Sequence, residues 1–137
     1  MALTHLVDTS VLTRLATPRV RAAVEPATQA GELARAGISD LELGFSARSE
    51  TEWDTQMEAI SVFHLVETTS DHMRRARQVQ RLLAGRHQPG RKLPDLLIAA
   101  AAEARNLVVL HYDADFDRIA ATTSQPTEWV VPAGSVD

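Results

Sequence analysis

Residues 94–117 read PDLLIAAAAEARNLVVLHYDADFD, and this stretch decides the fold. Pro94 suits the opening turn of a helix, where its missing N–H is not needed. The run from Asp95 to Ala102 that follows is almost entirely small and apolar, so that helix is expected to be deeply buried. Leu107 to Leu110 is a continuous apolar run, the pattern of a strand covered on both faces and therefore of a parallel sheet. The strand runs straight into Asp113, Asp115 and Asp117. A buried helix, a doubly covered strand and a cluster of acids at its carboxyl end define an α/β protein.

Working outward, the same alternation recurs. Thr4 to Val7 forms a short apolar strand ending at Asp8, and Thr9-Ser10 opens a helical run through Val11, Leu12 and Leu15. Pro18 and Pro26 break the next stretch into short helical pieces up to Gly37. Ile38 begins a brief strand, and Ser39 or Asp40 caps a helix carrying Glu42, with Leu41 and Phe45 on its apolar side. Ser49 caps a further helix through Ile60, and Val62 to Val66 makes a third strand. Ser70-Asp71 caps a helix to about Ala84, with an apolar stripe of Met73, Ala76, Val79 and Leu83. After the strand at 107–110 come a short helix around Ile119 and a last strand near Trp129 to Val131. The predicted architecture is one three-layer α/β/α domain over residues 1–137, with a mainly parallel central sheet of four to five strands.

The chain has 137 residues and is 45% hydrophobic, enough for a core without staples. It has no cysteine, which excludes disulfides, thiol catalysis and thiolate metal sites. Its start lacks a basic segment and long apolar run, and no apolar stretch is long enough to span a bilayer, so a soluble, cytoplasmic protein is expected. The net charge of -4 argues against a nucleic-acid partner, but the distribution argues otherwise. No acid occurs from His72 through Pro94, a stretch holding Arg74, Arg75, Arg77, Arg81, Arg86, Arg91 and Lys92, half of the fourteen basic residues. Arg74, Arg77 and Arg81 share one helix face. That face is either a solvated surface, a contact for an RNA backbone, or a contact for a protein partner. Arg14 is a further candidate of the same kind.

Asp8, Glu42, Asp95 and the Asp113/Asp115 pair all fall where a strand ends or a helix begins. An open parallel sheet gathers such positions along one crevice. Acids brought together repel unless something positive sits among them, and a hard divalent cation with oxygen ligands is the usual solution. Each acid also has a plainer reading. Asp8 can be an N-cap, Glu42 a first-turn glutamate favoured by the helix dipole, and Asp95 a structural group at a helix terminus. The spacing Asp113-x-Asp115-x-Asp117 is not a calcium hand, because its sixth and twelfth positions are Arg118 and Ser124 rather than Gly and Glu.

Taken together, Leu6-Val7-Asp8-Thr9-Ser10, Ile38-Ser39-Asp40-Leu41-Glu42, Pro94-Asp95-Leu96-Leu97-Ile98 and Val109-Leu110-His111-Tyr112-Asp113-Ala114-Asp115-Phe116 resemble the PIN-domain ribonucleases. Within them the chain is similar to the toxins of VapBC toxin–antitoxin systems, essentially from end to end. The resemblance implies a PIN fold and an endoribonuclease held inactive by a VapB-type antitoxin. It assigns Asp8, Glu42, Asp95 and Asp113 to the acidic metal-binding and catalytic set, with Asp115 as a fifth member and Thr9 or Ser10 as hydroxyl support. It implies one or two Mg²⁺ or Mn²⁺ ions, products with 5′-phosphate and 3′-hydroxyl ends, an RNA substrate contacted by Arg14, Arg74, Arg77, Arg81 and Arg91, and a homodimer. Asp117 has no firm counterpart. His111 is a departure, since many relatives carry Thr or Ser there. The competing readings are a PIN-like domain that binds RNA or protein without cleavage, and another metal-dependent phosphohydrolase.

Overall fold

In the computed structural model, which describes residues 2–88 and 92–137, five strands form a wholly parallel sheet in the order β3-β2-β1-β4-β5. The strands are β1 (His5–Val7), β2 (Leu33–Ala36), β3 (His64–Val66), β4 (Val108–His111) and β5 (Thr127–Trp129). Between them run α1 (Thr9–Leu12), α2 (Pro18–Gln29), α3 (Gly37–Gly44), α4 (Glu50–Ile60), α5 (Ser70–Gly85), α6 (Leu93–Ala104) and α7 (Asp115–Thr123).

The three layers follow from the two-residue period of the strands. Leu6, Ala34 and Val109 point to one side, where α5, α6 and α7 pack with Val79, Leu83, Ile98, Ala102, Phe116 and Ile119. Val7, Leu33 and Leu110 point to the other, against Val11, Val20, Val24 and Ile60 of α1, α2 and α4. The sheet runs outward in both directions from β1, so the switch in strand order lies at β1 and β4. There the backbone N–H of Asp8 donates to Leu110 O at 2.8 Å. A crevice at the carboxyl ends of these strands is the result.

Several elements differ from the sequence reading. Pro26 lies inside α2 rather than ending it. Its ring costs a helix on the order of 3 kcal/mol, but it is exposed in the last turns, while Val20 and Val24 are buried and hold the helix on the sheet. Ile38 does not begin a strand; it lies in α3, and the strand comes earlier, at Leu33–Ala36. The missed signal is Gly31, which takes φ +70° just past α2. Gly31 N–H donates to Thr28 O and Glu32 N–H to Ala27 O, the paired bonds of a Schellman stop that turns the chain into β2. Asn106, at φ 55°, ends α6 in the same way before β4.

Leu41 and Phe45 are exposed rather than packed, and Ser39 is the buried residue of α3. On α5 the buried stripe is His72, Ala76, Val79 and Leu83, with Met73 half-exposed. His72 fits because it completes a capping box with Thr69, the N-cap residue, each side chain bonding the other's backbone N–H. Pro94 lies in the opening turn of α6 as expected, one residue after Leu93, with Lys92 at the N-cap. The last strand is Thr127–Trp129, while Val130 and Val131 follow it and fill the second core.

Gly31→Ala places a Cβ in open space but in a left-handed conformation. It is expected to lower unfolding free energy by about 1 kcal/mol, measured as a drop in the urea midpoint without a change in slope.

Candidate active site

Asp8 sits where β1 ends. Its Oδ2 accepts the Ser10 N–H at 2.9 Å and caps α1, so the plain structural reading of this residue holds for one of its oxygens. The other, Oδ1, is buried and has no hydrogen-bond partner among the described residues. Ser10 Oγ accepts the Tyr112 N–H at 2.9 Å and ties α1 to the loop after β4. Thr9 Oγ1 donates to Glu42 Oε1 at 2.6 Å and lies 2.7 Å from the buried Ser39 Oγ, which fixes α3 against α1. Arg35 holds the start of α3 from below, bridging Asp40 and the carbonyls of Ile60 and Phe63. Asp40 is thereby a structural partner and not a cap.

Asp95 enters from the first turn of α6 and is only 4% exposed, with its Oδ2 buried and lacking a partner among the described residues. Asp113 follows β4; its Oδ1 accepts the Asp115 N–H at 2.9 Å and its Oδ2 accepts from Lys92 Nζ at 2.7 Å. Asp95, Asp113 and Asp115 each offer one carboxylate oxygen within 4.8 Å of the others. Asp8, Glu42, Asp95 and Asp113 all line one cleft of about 580 Å³.

The electrostatics follow the crowding. Burial, opposed by the Ser10 bonds and reinforced by the charges of Glu42 and Asp113, pushes Asp8 above the ordinary carboxylate range. Burial and the neighbouring Asp8 and Asp113 push Asp95 up to about 8. Asp113 goes the other way: burial would raise it, but the Lys92 ammonium and the Asp115 amide together hold it low. Its bond to Asp113 in turn raises Lys92. A set of oxygen donors, two of them buried and unpartnered, fits a hard divalent cation.

A model of the PIN domain matches residues 5–122. The chain is 63% identical, over the whole of both sequences, to Ribonuclease VapC51 of Mycobacterium tuberculosis. It is 43% identical to Ribonuclease VapC21 of the same organism, covering 98% of this chain and 99% of the other. This chain belongs to the PIN-domain family, in its VapC group. The fold agrees with the crystal structure of VapBC2 from Rickettsia felis bound to a DNA fragment from their promoter, at TM-score 0.75 and 15% identity, covering 93% of this chain and 98% of that one.

Against this PIN-domain frame, the structure gathers Asp8, Thr9, Ser10, Glu42, Asp95 and Asp113 on the cleft and sets Asp115 beside them. Arg14 also lines it. Arg74, Arg77 and Arg81 do not; they are exposed on α5, where Arg74 pairs with Asp71. Arg86 is tied to Ala121 O and Thr122, and Arg91 lies outside the described residues. His111 is fully buried, and its Nδ1 accepts the Asp113 N–H at 3.2 Å. That bond fixes the tautomer with the proton on Nε2. His111 therefore orients the Asp113 turn, a role that a hydroxyl residue fills less rigidly. The aromatic residues Tyr112 and Trp129 escaped the sequence reading of the site, as did the link from Lys92 to Asp113. Of these only Lys92 carried a signal, as the basic residue three positions before Asp95.

Asp95 supplies a pH test. Between its ordinary value of 3.8 and about 8, the metal-free fold keeps a proton that the unfolded chain has released. Stability therefore falls as pH rises through that window, and the penalty vanishes below it. Asp95→Asn is expected to melt with the parent near pH 4 and above it at pH 8, in EDTA; a melting-temperature gap that stays constant with pH contradicts this. Lys92→Met should lower the melting temperature in EDTA and enlarge the rise produced by a divalent cation, read by differential scanning fluorimetry.

Proposed function

We propose that this chain is an endoribonuclease dependent on Mg²⁺ or Mn²⁺, and that it is the toxin of a VapBC-type toxin–antitoxin pair acting in the cytoplasm. The observation that carries the reading is the pair of buried, unpartnered carboxylate oxygens of Asp8 and Asp95 in an acid-lined cleft. The reading is supported by the 63% identity to Ribonuclease VapC51. No described helix is long and apolar enough to cross a membrane.

In this reading Asp8, Asp95, Asp113 and Asp115 hold the ion, with Glu42 at the edge of the set. When bound, the ion supplies Lewis acidity toward the scissile phosphate and the attacking water. The chain's own residues do the rest. Thr9 anchors Glu42, and the Ser10 amide anchors Asp8. Asp95 gives up its proton when a cation is present, so affinity for the ion tightens as pH rises toward 8. Arg14 and Lys92 bring positive charge to the cleft for phosphate oxygens, and Arg74, Arg77 and Arg81, exposed on α5 outside it, are candidates for a separate contact with the RNA backbone. Because water is the nucleophile, the products carry 5′-phosphate and 3′-hydroxyl ends.

The antitoxin has a suitable face. α3 turns Glu42 into the cleft while leaving Phe45 91% exposed, and Trp53 of α4 packs so close to Gly44 that a Cβ there would lie 2.4 Å from the indole nitrogen. We place the antitoxin segment on Phe45 and Trp53, which follow Glu42 in the chain. A second apolar groove, lined by Ile38, Leu41, Leu65 and Leu97 near the β3 edge, is where we place a homodimer contact.

The test is cleavage of total cellular RNA by the purified protein with Mg²⁺ or Mn²⁺, with EDTA, and with Asp8→Asn. Discrete metal-dependent fragments, absent from the variant and carrying 5′-phosphates, are expected. Cyclic phosphate ends, or intact RNA with well-folded metal-loaded protein, would overturn the reading.

A further inference from the structure

The acids occupy only part of the cleft. Its remaining wall is aromatic, formed by Tyr112 and Trp129 with Arg14 beside them. Both rings are half-buried, Tyr112 with one side packed against the second core, and neither has a carboxylate to offer a cation. Yet both are held in place. The Trp129 indole N–H donates to Asp117 Oδ1 at 3.2 Å, and its ring lies 4.9 Å from the fully buried His111 and 5.5 Å, edge to face, from Tyr112. The Tyr112 hydroxyl donates to Val136 O at 2.7 Å and accepts the Val136 N–H at 3.1 Å. Arg14 lies 4.8 Å above the Tyr112 ring, held there by Nη1 donating to Ser10 O and Nε to Asp137 O.

A partly exposed tryptophan fixed on several sides is a preorganised surface, whose side-chain entropy is already lost before any ligand arrives. We propose that Trp129 forms a nucleobase-stacking subsite for the nucleotide next to the scissile phosphate, with Tyr112 as its edge-to-face support and Asp117 as the positioning residue for Trp129. The proposal rests on the ribonuclease reading above and deepens it. The argument is continuity: a phosphate drawn to the acids carries its base along the same cleft, and the flat surface that cleft presents is this one. The Tyr112 ring already carries Arg14 on its face and the Trp129 indole N–H is held by Asp117, so the Trp129 ring is the surface offered for contact and its hydrogen-bonding group does not read base edges. Such stacking tolerates any base and is worth roughly fivefold to a hundredfold in affinity per base. It also accounts for Asp117, which the metal set does not use, since its carboxylate fixes the indole.

The experiment uses the Asp8→Asn protein, to prevent cleavage, in a Trp53→Phe background that leaves Trp129 as the sole tryptophan. The probes are hexaadenylate RNA and an abasic hexamer with the same ribose-phosphate backbone, in Mg²⁺. Hexaadenylate is expected to quench the tryptophan fluorescence and to bind at least about fivefold more tightly than the abasic strand. By anisotropy, Trp129→Leu should reduce that preference to near unity with the salt dependence unchanged, and Trp129→Phe should retain most of it. Asp117→Ala, at an exposed position and safe for folding, should weaken both the quench and the preference. Equal binding of the two strands with Trp129 intact, a preference that survives Trp129→Leu, or an Asp117→Ala protein that behaves as its parent would each overturn the subsite. Binding of neither strand would instead remove the ribonuclease reading beneath it.

Discussion

Carboxylates that must share one crevice repel each other, and the rest of this structure is arranged around that cost. Asp8 and Asp95 are buried, which penalises their charged forms even before their neighbours are counted. The metal-free fold meets the cost in three ways. Asp95 keeps a proton near neutral pH, Lys92 lends its ammonium to Asp113, and backbone N–H groups of Ser10 and Asp115 bond Asp8 and Asp113. One oxygen of each of Asp8 and Asp95 stays without a partner among the described residues. A site tuned only for stability would have replaced them with apolar or amide groups, so the residual strain points to a ligand that the fold alone does not supply.

Topology makes the crowding possible with little chain. All five strands are parallel, so every strand delivers its carboxyl end to the same edge. Asp8 and Asp113 leave the two strands that flank the switch in order, and α3 and α6 bring Glu42 and Asp95 to the same edge. The supporting bonds are then short-range in space and long-range in sequence. Thr9 meets Glu42 across 33 residues and Ser10 meets Tyr112 across 102, so the site forms only when the sheet has formed.

This division explains what could be read from the chain. β1 and β4 were legible because their central residues are apolar and covered on both faces, Leu6-Val7 in the one and Val108-Val109-Leu110 in the other. β2 was not, because Leu-Ala-Arg-Ala lacks β-branched residues and its Arg35 is neutralised by Asp40, a tertiary partner. Gly31 marks its approach, but Pro26 is the louder breaker signal and lies a turn too early. The acids were legible because each stands at a strand or helix end, where chemistry and local structure coincide. Lys92 and the Tyr112–Trp129 pair were not, since the meaning of each depends on a contact that only the folded sheet creates. The basic helix face shows the converse: a periodic pattern predicts a face, but not what that face looks upon.

His111 links the two ends of the cleft. Its Nδ1 receives the Asp113 amide, while its ring is stacked 5.0 Å from Phe116 and lies 4.9 Å from Trp129. Burial holds its pKa below the ordinary histidine value, so it stays neutral and keeps the acceptor that Asp113 needs. A threonine or serine in that position could serve Asp113 but could not also support an indole. A single buried imidazole thus joins the acid end of the cleft to its aromatic end.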